Sequence, residues 1–411
     1  MDRSHRRQRS GTPAASLAFL LTALLIVGCS GAALTSAPPI ASGLVEREMG
    51  SAGGPVGMSV TVLGNGTLLV AGGSYGDGAQ ASAWLYDPKA QSWLQTGSMA
   101  QDRVGHAATL LSDGRVLVTG GSLSVFPESM RPAELYDATS GTWSAAAPME
   151  FPREHATATL LDDGSVLVTG GHACGIAERY DPRSDTWRRA GTMLDVTMDH
   201  TATLLDDGRV LVAGGRQEVF PPDPTDPCYE ERAPHPGETA SPGGPWDIAG
   251  YLVFGYAGIA TAEVYDPGAN AWSRADPMTA TRAGATASRL SDGTVLVAGG
   301  YFKGIIPAAE VFDPVSGHWR ETGSMATPRG LFSATLLPDG SVLAAGGCDG
   351  FRFTATAERY DPAAGVWRAA GSMRDVRCNH DAVLTDEATV VIPGQPTAPV
   401  ETYDPETNSW R

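Results

Sequence analysis

Short apolar runs alternate with glycine-bearing turns along most of the chain. Around residues 153–187 an apolar run ends at Leu161, meets Asp163-Gly164 and returns as Val166–Val168 before stopping at Gly170-Gly171. An Asp-Gly pair supplies the positive φ angles that a tight turn between twisted strands needs, so this spacing predicts a β-hairpin. A third short strand carries Tyr180 and a fourth Trp187. Four strands in a unit of about 50 residues cannot bury both faces alone and require copies of themselves alongside.

Those copies are present. The double glycine recurs at Gly72-Gly73, Gly120-Gly121, Gly170-Gly171, Gly214-Gly215, Gly299-Gly300 and Gly346-Gly347, with Pro393-Gly394 as a degraded seventh. The turn recurs as Asn65-Gly66, Asp113-Gly114, Asp163-Gly164, Asp207-Gly208, Asp292-Gly293 and Asp339-Gly340, with Glu387-Ala388 in the seventh. An aromatic followed by Asp recurs at Tyr86, Tyr136, Tyr180, Tyr265, Phe312, Tyr360 and Tyr403. Then come Trp93, Trp143, Trp187, Trp272, Trp319, Trp367 and Trp410. Each of the first six Trp is followed at a fixed offset by Met99, Met149, Met193, Met278, Met325 or Met373, which implies one chain path used repeatedly.

A Gly-Gly, then Tyr, then Trp, at a period near 50, resembles the kelch motif. The resemblance implies an all-β fold, a seven-bladed kelch-type β-propeller with four antiparallel strands per blade, spanning residues 44–411. Radial packing of this kind leaves only short protected edges. The seventh repeat stops at Trp410-Arg411, and Leu44–Met49 is expected to complete or cover it. The fourth repeat is long, with an insert at 216–261. Residues 220–245 of it hold eight Pro, and Trp246–Ile259 is apolar and aromatic. A lid on the propeller face and an exposed partner site are the two readings of this segment; insertions in repeat proteins map to loops on one face, often the binding face.

Composition changes the picture at the N-terminus. Arg3, Arg6, Arg7 and Arg9 precede an apolar run from Ala14 to Val27. This is the layout of a secretory signal, too short for a spanning helix of about 20 residues. It ends Leu25-Ile26-Val27-Gly28-Cys29-Ser30, which resembles a bacterial lipobox. The resemblance implies a lipoprotein signal peptide over 1–28, lipidation of Cys29 and a flexible tether over 29–43. The expected location is the cell envelope, at the outer membrane if the host is Gram-negative, with membrane attachment through the lipid anchor only. The formal net charge is −17, without the basic footprint of a nucleic-acid binder.

Export favours disulfides. Cys174, Cys228, Cys348 and Cys378 fall in loops that share one face of the implied propeller. Of the three possible connectivities, Cys174–Cys228 with Cys348–Cys378 is expected, because each pair comes from adjacent blades.

The segments leading into the first strand of each repeat carry the other candidates: His106, Arg153, His155, Asp199, His200, Arg377, Asn379 and His380. His172 follows a double glycine. Together they suggest a polar ring at the channel mouth able to grip a carboxylate, sugar or peptide, since Arg captures carboxylates bidentately. The opposing reading pairs the repeat Arg with equally regular Glu134, Glu178, Glu263, Glu310, Glu358 and Glu401 as scaffold. No metal set is expected from the His, since blades two, four and seven are not neighbours.

Galactose oxidase also has kelch-type repeats. Its family's copper site uses two Tyr, two His and a Cys cross-linked to Tyr, and this chain lacks the Tyr-His dipeptide which that family uses. No copper and no other cofactor are expected. The periplasmic kelch sialic-acid epimerase resembles the chain in its repeats only. The expected function is therefore a monomeric, non-catalytic propeller binding a protein or glycan partner through one loop face. A carbohydrate-active enzyme on the same scaffold is the alternative.

Overall fold

The computed structural model describes residues 56–74, 78–122, 132–172, 174–218, 256–301, 304–348, 352–394 and 399–411. Cys29, Cys228, Leu44–Met49 and most of the 216–261 insert lie outside these residues.

The described residues form a seven-bladed β-propeller without helices. Seven sheets each contain four antiparallel strands in chain order. Blade one is Val56–Val62, Leu68–Ser74, Ala83–Asp87 and Ser92–Gln95. Blade seven is Val383–Leu384, Val390–Ile392, Glu401–Asp404 and Ser409–Trp410. A two-stranded ribbon, Arg216–Glu218 against Tyr256–Gly258, rises from blade four at the two ends of the insert.

The first strands line the axis and contact one another in a closed cycle, blade one touching blade seven. The second strands are buried on both faces: Val116–Thr119, Val166–Thr169 and Val210–Ala213 have no exposed position. Successive side chains of a strand point to opposite faces, and the hydrophobic clusters divide accordingly. Val116 and Val118 pack with Leu69 and Ala71 of blade one, whereas Leu117 packs with Val166 and Val168 of blade three. A run of β-branched and leucine residues thus serves two neighbours at once.

Blades one and seven obey the same rule. Val391 packs against Leu68 and Tyr86, with Val60, Val62, Trp93, Val383 and Val400 around them. All four strands of blade seven come from residues 383–410, so among the described residues the ring closes by packing and hydrogen bonds between blades one and seven, without strand exchange.

The aromatic positions act as pegs between blades. In all seven blades the third-strand ring lies 4.9–5.1 Å from the fourth-strand Trp. The indole N–H then donates to a carbonyl of the preceding blade: Trp143 to Gly97, Trp187 to Ala147, Trp272 to Ala190, Trp319 to Asp276, Trp367 to Gly323 and Trp410 to Ala370, at 2.7–2.9 Å. Each such ring buries on the order of 150–250 Å² and satisfies its one polar group.

The recurring Met packs in the same seams. Met99, Met149, Met193, Met278, Met325 and Met373 are all buried.

Candidate ligand-binding mouth

One end of the axial channel is bounded by a hydrogen-bonded ring of backbone. Gly105 N–H donates to Gly57 O, His155 to Gly105, Asp199 to His155, Gly284 to Asp199, Leu331 to Gly284, Asn379 to Leu331 and Gly57 to Asn379, at 2.7–3.3 Å. The cycle takes one residue from each blade and closes on itself. All seven residues lie in the left-handed region, with φ between 51° and 64°. Three are Gly, and His, Asp and Asn are among the side chains that most tolerate this region. Leu331 is the outlier, and strained backbone of this kind clusters at binding sites.

This ring explains why His155, Asp199 and Asn379 share one offset after the repeat Met. The fold brings those three together on one ring. It separates them from His106, His200 and His380, which sit one residue further along.

Those three imidazoles lie between blades. His106 Nε2 is 2.9 Å from Ser59 Oγ, His200 Nε2 is 3.0 Å from Thr157 Oγ1 and His380 Nε2 is 3.1 Å from Ser333 Oγ. In each, Nδ1 is buried without a partner, which suits a neutral ring protonated on Nε2. Burial pushes the three down to about 3, about 4 and about 3 respectively. Phe332 takes the same position in blade six and is equally buried. These histidines pack between blades, and His380 also lines the channel cavity.

The arginines are also enclosed. Arg153 is 1% exposed and donates to Gly170 O, Ile176 O and the Glu178 carboxylate. Arg103, Arg282 and Arg329 make the same ion pair with Glu134, Glu310 and Glu358. Arg377 is buried and donates to Pro393 O and Pro399 O. The expectation that Arg153 and Arg377 face the mouth is corrected accordingly. They brace the segments on which the mouth stands.

A polar cluster does form where blades three, four and five meet. His155 Nδ1 is 3.1 Å from Asp199 Oδ1. Arg216 Nε donates to Asp199 Oδ2 at 2.5 Å, and the Tyr301 hydroxyl donates to the same oxygen at 3.2 Å. The Asp199 carboxylate raises His155 to about 9 against the opposing effect of burial. Burial works against the Asp199 charge, but the facing His155 and Arg216 cations hold its carboxyl well below the usual range. His155 is the open member, its side chain 25% exposed against 7% for Asp199.

Beside it, His172 Nδ1 accepts the Cys174 N–H at 3.2 Å, and its ring lies 5.2 Å from Phe151. Cys174 is disulfide-bonded, to a partner outside the described residues.

The other side of the ring is apolar. Cys348 and Cys378 are disulfide-linked with Cα atoms 5.5 Å apart. Leu331 and Phe353 pack on them. The mouth therefore offers a charged half on blades three to five and an apolar half on blades six and seven.

Arg216 and Tyr301 were not singled out by the sequence. Both directly follow a double glycine, as do Ser74, Ser122, His172 and Cys348. That one position, variable beside the repeated glycine pair, was the available signal.

Inside the channel, a cavity of about 270 Å³ is lined by Thr201, Thr286, Ser333, His380 and Asp381 among others. Asp381 Oδ2 accepts the Val60 N–H at 3.0 Å, tying blade seven to blade one. The carboxylate is open to the lumen yet walled by protein, and this desolvation raises it to about 6. A larger cavity of about 750 Å³ opens on the opposite face between blades five, six and seven. Two of its carboxylates are committed to turns and an ion pair: Asp361 to Ala363 and Ala364 N–H, Asp339 to Ser341 and Arg359.

The Kelch motif model matches residues 56–100 and 331–374, which cover blades one and six. No curated protein matches the chain in sequence. Among solved structures, a fungal alcohol oxidase, described as novel, with catalytic diversity among the AA5 family and in complex with copper, is similar at a TM-score of 0.60. It is 17% identical, over 84% of this chain and 70% of its own. A structure described as that of YjhT has a TM-score of 0.53 and 15% identity, over 76% of this chain and 97% of its own. Identities this low show the shared propeller fold alone.

Copper in the first of these makes the fit of the present residues a fair question. Among the described residues, no group of three or more His, Cys, Asp and Glu side chains is placed to hold a metal ion. At the mouth His155 is committed to Asp199 and His172 to a backbone N–H. The described residues do not fit such a centre, and no chemistry is derived through it.

Proposed function

We propose that this chain is a non-catalytic kelch-type propeller, held at the cell envelope by a lipid on Cys29, that binds a protein or glycan partner through its mouth. The observation that supports this reading is the His155–Asp199–Arg216–Tyr301 cluster on a closed backbone ring. Small-ligand sites are mostly apolar with a few placed polar groups, and the Leu331–Phe353 side with the charged side matches that description. The ring fixes His155 and Asp199, and the bonds of Arg216 and Tyr301 to Asp199 hold the other two, before any ligand arrives, which lowers the ordering cost of binding. His155 and Arg216 bring cationic side chains to the mouth, which suits a carboxylate-bearing sugar or peptide. The insert leaves blade four at Arg216, beside this cluster, where an additional partner contact belongs.

The alternative is a carbohydrate-active enzyme, of the epimerase or oxidase kind. The observation favouring it is the same His155–Asp199 pair, because an imidazolium held by a carboxylate is a proton donor.

A pull-down from the host envelope fraction with the mature chain, run beside metal analysis, tests the proposal. Retention of a partner by the wild type and its loss with Arg216→Ala are expected. Stoichiometric copper in the purified protein, or equal retention by the variant, overturns it.

A further inference from the structure

Blade four breaks the arginine pattern in a way that no other blade does. In blades two, five and six the repeat Arg sits in a cage of three acceptors. Its Nη1 donates to the carbonyl of the first glycine of the pair (Gly120, Gly299, Gly346) and to the carbonyl two residues before the repeat Glu (Pro132, Ala308, Thr356), at 2.7–3.0 Å. Its Nη2 reaches the Glu carboxylate at 2.6–2.9 Å. Blade three fills the same cage with Arg153.

In blade four the Arg position is Thr197, while the acceptors remain: Gly214 O, Thr261 O and Glu263. The cage is assembled as in its sisters. Gly214 N–H donates to Thr261 O at 3.0 Å, as Gly299 does to Ala308 and Gly346 to Thr356 at 3.1 Å. Glu263 accepts the Leu194 and Asp195 N–H groups at 2.7 and 2.6 Å, as Glu358 accepts those of Ala326 and Thr327. Thr197 Oγ1 donates to Gly214 O at 3.0 Å and so adds a hydroxyl to the cage wall.

Glu263 is 2% exposed. Arg274, on the neighbouring strand, attracts Glu263 through space, but its Nη1 donates its hydrogen bond to Asp195 Oδ2 at 2.8 Å. Blade one provides the internal contrast. There Pro55 stands at the Arg position and Trp84 at the Glu position, so both charges are gone together. Blade four keeps the carboxylate and lacks the guanidinium. A buried carboxylate without a directly bonded counter-charge is unfavourable.

We infer that the cage formed by Glu263, Thr261 O, Gly214 O and Thr197 Oγ1 binds a monovalent alkali cation in place of the repeat arginine. The ligands are all oxygen, the donor type for hard cations, and backbone carbonyls are known to replace the hydration shell of potassium. One carboxylate balances one positive charge, as it does for Arg103, Arg153, Arg282 and Arg329. Thr197 and Glu263 are both buried, which excludes a side chain offered by a partner and admits an ion. This site is independent of the partner-binding reading of the mouth.

Thermal unfolding of the full chain in KCl, NaCl or choline chloride, at one ionic strength and about pH 8, tests the inference. A ligand that binds only the folded state raises Tm, and an increase of about 3 °C in at least one alkali salt over choline is expected. The KCl and NaCl arms report which ion size the cage prefers. Thr197→Arg, which supplies the missing guanidinium, abolishes the difference between salts, and Glu263→Gln does the same. Equal Tm values in all three salts for the wild type overturn the inference even if neither variant folds. So does an undiminished salt difference in either variant.

Discussion

His155 and Asp199 hold the same position in adjacent blades and are joined twice. The Asp199 N–H donates to the His155 carbonyl at 3.3 Å, and the His155 imidazole meets the Asp199 carboxylate at 3.1 Å. The backbone link belongs to the seven-membered ring and recurs around the axis. The side-chain link occurs at this one seam among the ring positions. It turns a structural position into a charged one.

The pH dependence follows from that pairing. His155 is raised to about 9 from an unfolded value near 6.5. Its contribution to stability is fully present below about pH 6.5 and is lost as pH rises through about 9. An imidazole NMR titration of His155 is expected to show protonation at neutral pH and a midpoint near 9. In Asp199→Asn the midpoint falls towards the ordinary value. An unchanged midpoint would show that the carboxylate is not the cause.

The enclosed arginines predict a large structural penalty. Arg329 is fully buried, and its removal leaves Glu358 without a counter-charge. Arg329→Ala is expected to lower unfolding stability by about 3–5 kcal/mol, read from denaturant titration. A loss under about 1 kcal/mol, the range of an exposed pair, would contradict the burial argument.

The interblade histidines predict tolerance of an apolar ring. Phe332 already fills in blade six the place that His380 fills in blade seven. His380→Phe is expected to change stability by less than about 1.5 kcal/mol. The His380 ring packs so closely on Gly346 that a methyl group on that glycine would lie 2.7 Å from the imidazole. His380→Ala therefore opens a cavity there and costs about 2–4 kcal/mol. Comparable losses for both variants would mean that the Ser333 hydrogen bond, not the ring volume, is what matters.

These cases show what was legible in the sequence. The blade number, the strand order and the Tyr–Trp pegs follow from Gly170-Gly171, Tyr180, Trp187 and their copies, because repeated local chemistry forces a repeated path. The Arg–Glu pairing was visible as matched regularity, although which residues face the mouth was not. His155 and His106 differ by one position relative to Met, and that step moves a side chain from the mouth to the seam between blades. Only the hydrogen-bonded ring reveals it. Arg216 and Tyr301 were hidden for a different reason. Each meets Asp199 across a seam or a loop, and single-chain spacing carries no such distance.

The central claim is that the mouth cluster binds a partner while the ring merely holds it in place. A mixed array of glycans and peptides, probed at neutral pH with the fluorescently labelled mature chain and with the double variant Arg216→Ala/Tyr301→Ala, tests it most directly. The expected result is selective binding of carboxylate-bearing members by the wild type and at least about tenfold weaker binding by the variant, the loss of roughly one charge-assisted hydrogen bond, with the variant still folded by circular dichroism. The same array pattern and strength from a folded variant would contradict the claim.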